Sequence, residues 1–465
     1  MEKTFLLQKD NSKAYCKKTQ GITLIALVVT IVVLLILASV TISTIFSDNG
    51  IIKKAQEAAN KTKEAVEQEQ DELNQLYNDL ASIMNNTTGG STEEPEPEPE
   101  PELPSDGSFS EDKGVNTPNL GEGMTPIKWD ETANSGAGDW VETEGNDPDW
   151  YDYSAKKWAN AKTADGSMWV WIPRYAYSIP SAGYHKSTAT EISIEFMKGT
   201  RNETTSGRTS FNNASGQGNW NIHPAFNYGQ PVSGLWVAKF EASQSNGKIM
   251  VQPGVSSWRS ITVDSIYTNC INYNKTLNSH MMKNDEWGAV AYLSRSKYGK
   301  NDEVTINDNS SYYTGGGSGN AYVTNTAQST TGNVWGVYDM SGGALEYVAA
   351  YVDNGNGNLT SYGKSLVNGD PKTKNVYTKA STDSYENNYQ QNKGVYGDAV
   401  YETSTSGSGA TSWYGDYSYF PGTSVPFFER GGSYINGSDA GVFYFGSSYG
   451  NSNSIFSFRP VLVAN

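Results

Sequence analysis

The stretch RGGSYINGSDAGVFYFGSSYGNSNSIFSFRPVLV, residues 430–463, decides how this chain is read. It opens on Arg430-Gly431-Gly432-Ser433 and closes on Phe458-Arg459-Pro460-Val461-Leu462. Between these ends run small polar residues and scattered aromatics, and Lys, Glu, Gln, Met and Trp are absent from 431–458. Tyrosine gives rigid amphipathic area at low entropic cost, and Ser, Gly and Asn give adaptable hydrogen bonds, as on antibody-like contact surfaces. Exposed Tyr and Phe clusters mark partner sites. Alternation across 433–445 predicts that Ile435, Asp439 and Tyr444 face outward while Gly441-Val442-Phe443 hold the fold. Phe443, Phe445 and Phe458 are the expected inward anchors.

Working outward, the chain of 465 residues has room for two or three domains, or one large domain with appendages. A net charge of -16 argues against nucleic-acid binding, which needs a basic face. Only 18% of residues are charged, while there are 47 Gly and 30 Tyr, a makeup that suits a loop-rich extracellular domain. Cys16 and Cys270 are too few and too distant for a disulfide framework.

The N-terminal part carries the address. Residues 1–21 are polar and include Lys9, Lys13, Lys17 and Lys18, and Ile22 to Ser47 carry no charge. That uncharged run is roughly 39 Å of helix, enough to cross a bilayer with some tilt. The positive flank predicts a single-pass protein with its C-terminal domain outside the cell. Residues 48–85 read as a charged helical stalk, with Ile52, Ala55, Ala59, Ala65, Leu73, Leu76 and Leu80 near helical spacing. Residues 86–106 read as linker, and EEPEPEPEPELP within them extends as polyproline II, roughly 37 Å of stiff spacer. The junction Lys17-Lys18-Thr19-Gln20-Gly21, then Ile22-Thr23-Leu24-Ile25-Ala26, resembles the type IV prepilin signal. The resemblance implies a prepilin peptidase as partner, cutting between Gly21 and Ile22, and a place in a pilus-like filament. The chain departs from that family at Ala26, where pilins carry the Glu used in filament assembly.

Residues 107–465 read as one aromatic-rich domain. Trp169–Tyr175 and Gly234–Glu241 are predicted strands, and Met281–Leu293 a helix with Met282, Trp287, Val290, Ala291 and Leu293 inward. Asn333–Met340 is a further predicted strand, entering a turn at Ser341-Gly342-Gly343. Asp339 and Asp439 read as isolated acids and make no recognisable calcium cage.

Four blocks in order carry a family resemblance: SGLWVAKFEAS at 233–243, SHMMKNDEWGAVAYLS at 279–294, NVWGVYDMSGGALEYV at 333–348, and RGGSY with FRPVL across 430–462. Together they resemble the formylglycine-generating (sulfatase-modifying factor) superfamily. This implies an α+β fold, a large variant of the C-type lectin fold, here following the pilin-like transmembrane helix. Enzymes of that superfamily use a cysteine pair for copper, or a multi-histidine site for iron. This domain has Cys270 alone, and His185, His223 and His280 stand in separate blocks. The expectation is therefore the fold without the catalysis: no enzyme, no metal and no cofactor.

Within the superfamily the domain resembles the variable proteins of diversity-generating retroelements. There, reverse transcription rewrites adenines near the 3′ end of the gene, so that Asn codons become a restricted residue set lacking Lys, Glu, Gln, Met and Trp. The resemblance implies that about 430–463 is diversified, to vary binding to a protein or glycan on a cell, phage or host surface, with Tyr434, Ile435, Asp439, Tyr444, Gly446, Ser447, Ser448, Tyr449, Asn451, Asn453, Ile455 and Phe456 as the variable ligand-binding set. A minor pilin with a passive structural head is the alternative. An oxidoreductase of the formylglycine-generating type is a further one.

Overall fold

The computed structural model of the protein describes residues 109–464. Gly21 and Ile22, the apolar run 22–47, the stalk and the linker lie outside the described residues. Among the described residues no helix is long and apolar enough to cross a membrane.

The described part is mixed α+β, with two large sheets and few helices. In chain order the elements used below begin with β1 Met124–Asp130, β2 Asp139–Glu142, β3 Asn160–Thr163, β4 Met168–Pro173 and β5 Gly234–Ala238. A hairpin follows, β6 Ser243–Ser245 and β7 Lys248–Met250, then helix α1 Val263–Tyr273, β8 His280–Met281 and helix α2 Asn284–Ser294. The C-terminal half adds β9 Leu345–Asp353, β10 Asn375–Thr378, β11 Ser408–Ala410, β12 Tyr417–Tyr419 and β13 Phe427–Arg430. It ends with β14 Phe445–Ser448, β15 Phe456–Phe458 and β16 Pro460–Leu462.

The first sheet is seven-stranded and antiparallel, ordered β8-β16-β5-β4-β3-β1-β2. Its centre forms because β4 and β5 are short apolar runs rich in Val, Ile and Trp, and every residue of both is buried. Trp171 and Trp236 face each other across the pair at 5.2 Å. Gly234 is the one residue that fits beside them, since a Cβ there would meet the Trp171 ring at 2.3 Å. The second sheet runs β10-β9-β13-β14-β12-β11, with β15 also paired to β9 in parallel. The chain passes from the second sheet into the first at Arg459, between β15 and β16.

The predicted strands at 169–175 and 234–241 fall on β4 and β5. The predicted helix is found as α2, but it starts at Asn284, because His280–Met281 are drawn out to pair with β16. The Glu286 carboxylate caps its start, accepting from the Lys283 N–H at 2.8 Å. All of α2 is buried, so the inward set was too narrow; Gly288 packs against the Gly397 carbonyl, which a Cβ would meet at 2.0 Å. Asn333–Met340 is not a strand. Its backbone is satisfied by side chains instead: Lys239 Nζ donates to the carbonyls of Val334 and Gly336, at 2.7 and 2.9 Å, and Val337 N–H donates to Thr330 Oγ1 at 2.9 Å.

Candidate binding surface

Both arginines that bracket the C-terminal stretch are fully buried. Arg430, at the end of β13, donates to Asn284 Oδ1 at 3.1 Å and to the carbonyls of Asp398 and Ala399 at 3.2 and 3.1 Å. It therefore ties the second sheet to the first turn of α2. Burial lowers its pKa to about 10, with Asp398 opposing the shift. Arg459 grips Glu346 with two donors, Nη2 at 2.6 Å and Nε at 3.2 Å, and donates to the carbonyls of Ala238 and Tyr338 at 2.8 and 2.9 Å. Asp339, expected to stand alone, belongs to this cluster. It accepts from Asn307 Nδ2 at 2.9 Å and Gly315 N–H at 2.8 Å, and it acts electrostatically on Glu241 and Glu346. Burial drives the Glu241, Asp339 and Glu346 carboxyls upward, and the Arg459 guanidinium opposes that drift. The bracketing blocks thus join β5, β9 and both sheets into one frame.

Between the brackets the chain leaves the frame twice. The first excursion is a short 3-10 segment, Tyr434–Asp439, which replaces the expected alternation. Ser433 N–H donates to Asn436 Oδ1 at 2.8 Å, and Gly437 takes φ +55° to turn the chain back. Ile435 is 62% exposed and Asp439 is exposed, as expected. Tyr434 is half-buried, edge-on to Tyr312 with ring centres 4.9 Å apart. The second excursion is 449–455, where Tyr449 is 50% exposed and Asn451, Asn453 and Ile455 are partly exposed.

The return strand β14, the residue before it and the start of β15 correct four expectations, since Tyr444, Gly446, Ser448 and Phe456 are buried. Tyr444, Gly446 and Ser448 share one face with Glu429 and Tyr347 of the neighbouring strands. That face is covered, because the 449–455 segment passes over Tyr347. The Tyr347 hydroxyl donates to the Asn451 carbonyl at 3.0 Å and meets Ser448 Oγ at 2.8 Å, and its ring stacks on Phe456 at 4.6 Å. The Tyr444 hydroxyl donates to Glu429 Oε1 at 3.1 Å, while Glu429 Oε2 is buried without a partner. Burial pushes the Glu429 carboxyl up to about 8. A Cβ on Gly446 would meet Glu429 Oε1 at 2.5 Å, so this glycine leaves the space that Glu429 fills. Phe445, Ser447 and their partners Arg430 and Phe428 lie on the other face, which explains why Ser447 is only partly exposed. Phe443, Phe445 and Phe458 are buried.

The structure places Tyr434 and the backbone of 453–454 beside a segment and a residue the sequence did not single out, Arg259–Ser260 and Tyr312. The Arg259 guanidinium lies 3.8 Å over the Tyr312 ring and donates through Nη1 to the Ser454 carbonyl. Ser260 N–H donates to the Asn453 carbonyl at 3.0 Å, and Val263 N–H to the Gly450 carbonyl at 3.0 Å, so one segment carries the whole second excursion. Asp439 and Ser447 are not part of that group. Beside it runs a groove of about 660 Å³ between the β6–β7 hairpin, residues 252–260 and Ser454. The only faint signal was Trp258-Arg259, a large pair inside a serine run.

The three histidines are apart. His280 Nε2 meets Glu286 at 2.9 Å, His223 is buried among Tyr175, Tyr177 and Phe226, and His185 stacks on Tyr401 at 4.2 Å. Among the described residues, no three His, Cys, Asp or Glu side chains form a group suited to a metal ion. No protein-family model matches the chain, and no curated protein sequence matches it.

Proposed function

We propose that the chain is a surface-anchored ligand-binding protein, adhesin- or receptor-like, whose C-terminal stretch is diversified by a retroelement on a C-type lectin fold of the formylglycine-generating type. In this reading the segment 22–47 holds it in the cell membrane after a prepilin peptidase cuts between Gly21 and Ile22, and the domain stands outside the cell. The ligand is a protein or a glycan on another surface. One observation carries the proposal: both ends of 430–459 are locked by buried arginines, while the excursions between them expose Ile435 and Tyr449 and leave Asn451, Asn453 and Ile455 partly accessible. Such a frame holds its shape while the exposed side chains change. The reading is of binding and not catalysis. The domain's cysteine, Cys270, is fully buried in α1 and its thiol is pushed well above the ordinary range by burial, so it cannot meet a substrate.

The test is to sequence this gene across sister isolates, together with the DNA just downstream. The expected result is substitutions concentrated at Ile435, Asp439, Tyr449, Asn451, Asn453 and Ile455, with a near-copy of the coding segment differing at adenines beside a reverse transcriptase gene. Substitutions spread evenly over the domain, with no such copy, would sink the proposal.

A further inference from the structure

Resting on the reading of a binding domain, we infer that the groove beside Arg259 takes a carboxylate-bearing sugar. At about 660 Å³ it lies within the range of small-ligand sites and matches a short oligosaccharide. In a chain of net charge -16, its lining holds one cation, Arg259, and no acidic side chain. That local reversal of sign favours an anion. A nucleic acid would need several cations, and here there is one.

The guanidinium is built into place. It is stacked on Tyr312 at 3.8 Å, donates through Nη1 to the Ser454 carbonyl and faces Ser256 Oγ from Nη2 at 3.5 Å. Tyr312 takes φ +56°, rare for an aromatic residue, and this backbone setting presents its ring to Arg259. The Nη1 and Nη2 end of the guanidinium makes its hydrogen bonds at the exposed side, where a carboxylate in the groove can accept from it. The rest of the lining is the hydroxyls and amides of Ser243, Ser245, Gln244 and Gln252, with Trp258 for the apolar face of a ring. Ser454 lies inside the exposed second excursion, so changes there reshape one rim of the groove while Arg259 stays fixed.

The test uses the full chain in detergent micelles and titration calorimetry with tri-galacturonate and 3′-sialyllactose, against maltotriose and lactose. At least one acidic sugar should bind tenfold or more tightly than its neutral counterpart, and the binding should weaken as salt rises. Which acidic sugar binds separates a hexuronate from a sialic acid. Arg259→Gln should remove that preference at an unchanged Tm, and Arg259→Lys should keep part of it. If Arg259→Gln does not fold, Gln244→Ala on the groove's exposed rim should lower affinity several-fold and leave the salt dependence intact. Equal binding of acidic and neutral sugars, binding of neither, or tighter binding of an acetylated Ser-Asp dipeptide overturns the inference. The broader reading fails differently. If Ile435→Asp and Tyr449→Ala abolish attachment of cells while no acidic sugar binds, only the groove assignment is lost.

Discussion

The two excursions, 434–439 and 449–455, and the return segment between them, 440–448, which ends in strand β14, come from one compositional run and behave in opposite ways. The second excursion is anchored by backbone hydrogen bonds, as where Ser260 N–H meets the Asn453 carbonyl, and the first by Asn436, which leaves the exposed side chains of Ile435 and Tyr449 free of structural duty. The strand is anchored by its side chains: Tyr444 to Glu429, Ser448 to Tyr347, and Gly446 by leaving room. Composition alone does not separate tolerant from intolerant positions; what a residue uses to hold its place does.

The frame that permits this contrast is the most sensitive part. Arg459→Ala leaves Glu346 buried beside Asp339 without its partner, and should cost ~3–5 kcal/mol in denaturant unfolding. A loss under ~1 kcal/mol would show that the bracket does not hold the stretch. The strand should also reveal itself through pH. The folded state raises the Glu429 carboxyl from 4.5 to about 8, so its neutral form is favoured in the fold. The stability it contributes is complete below about pH 4.5 and is lost as pH rises through about 8. Between pH 5 and 9 wild type should lose up to ~4 kcal/mol more than Glu429→Gln, read as the difference between their unfolding curves. Next in size, Gly446→Val must displace Glu429 and should cost ~1–3 kcal/mol. Smallest of all, Ile435→Ser and Tyr449→Ser should stay within ~0.5 kcal/mol of wild type. A larger loss there would erase the distinction between excursion and strand.

Part of this was legible in the sequence. The apolar runs at 169–175 and 234–241 become β4 and β5 because Trp, Val and Ile in short unbroken runs fit a strand buried on both faces. The buried Phe443, Phe445 and Phe458 also follow from the pattern, whereas Ile435 and Asp439 are exposed on a 3-10 segment and not through alternation. Tyr444 and Phe456 do not. Period-two spacing says that a strand has two faces, but a distant segment decides which is covered, here by crossing over Tyr347. Asn333–Met340 reads as a strand by composition, yet the Lys239 ammonium and the Thr330 hydroxyl take its backbone groups first. Arg259 and Tyr312 stayed hidden because their juxtaposition joins loops far apart in the chain.

The order of strands in the first sheet has a consequence for synthesis. Residues 460–462 form β16, which lies between β5 and β8 and is translated after all its neighbours. A frameshift or early stop anywhere in 431–459 therefore removes an interior strand and leaves two raw sheet edges beside an unfilled core. Only messages read in frame through 431–459 yield a closed domain, so the topology acts as a reading-frame checkpoint on the folded protein.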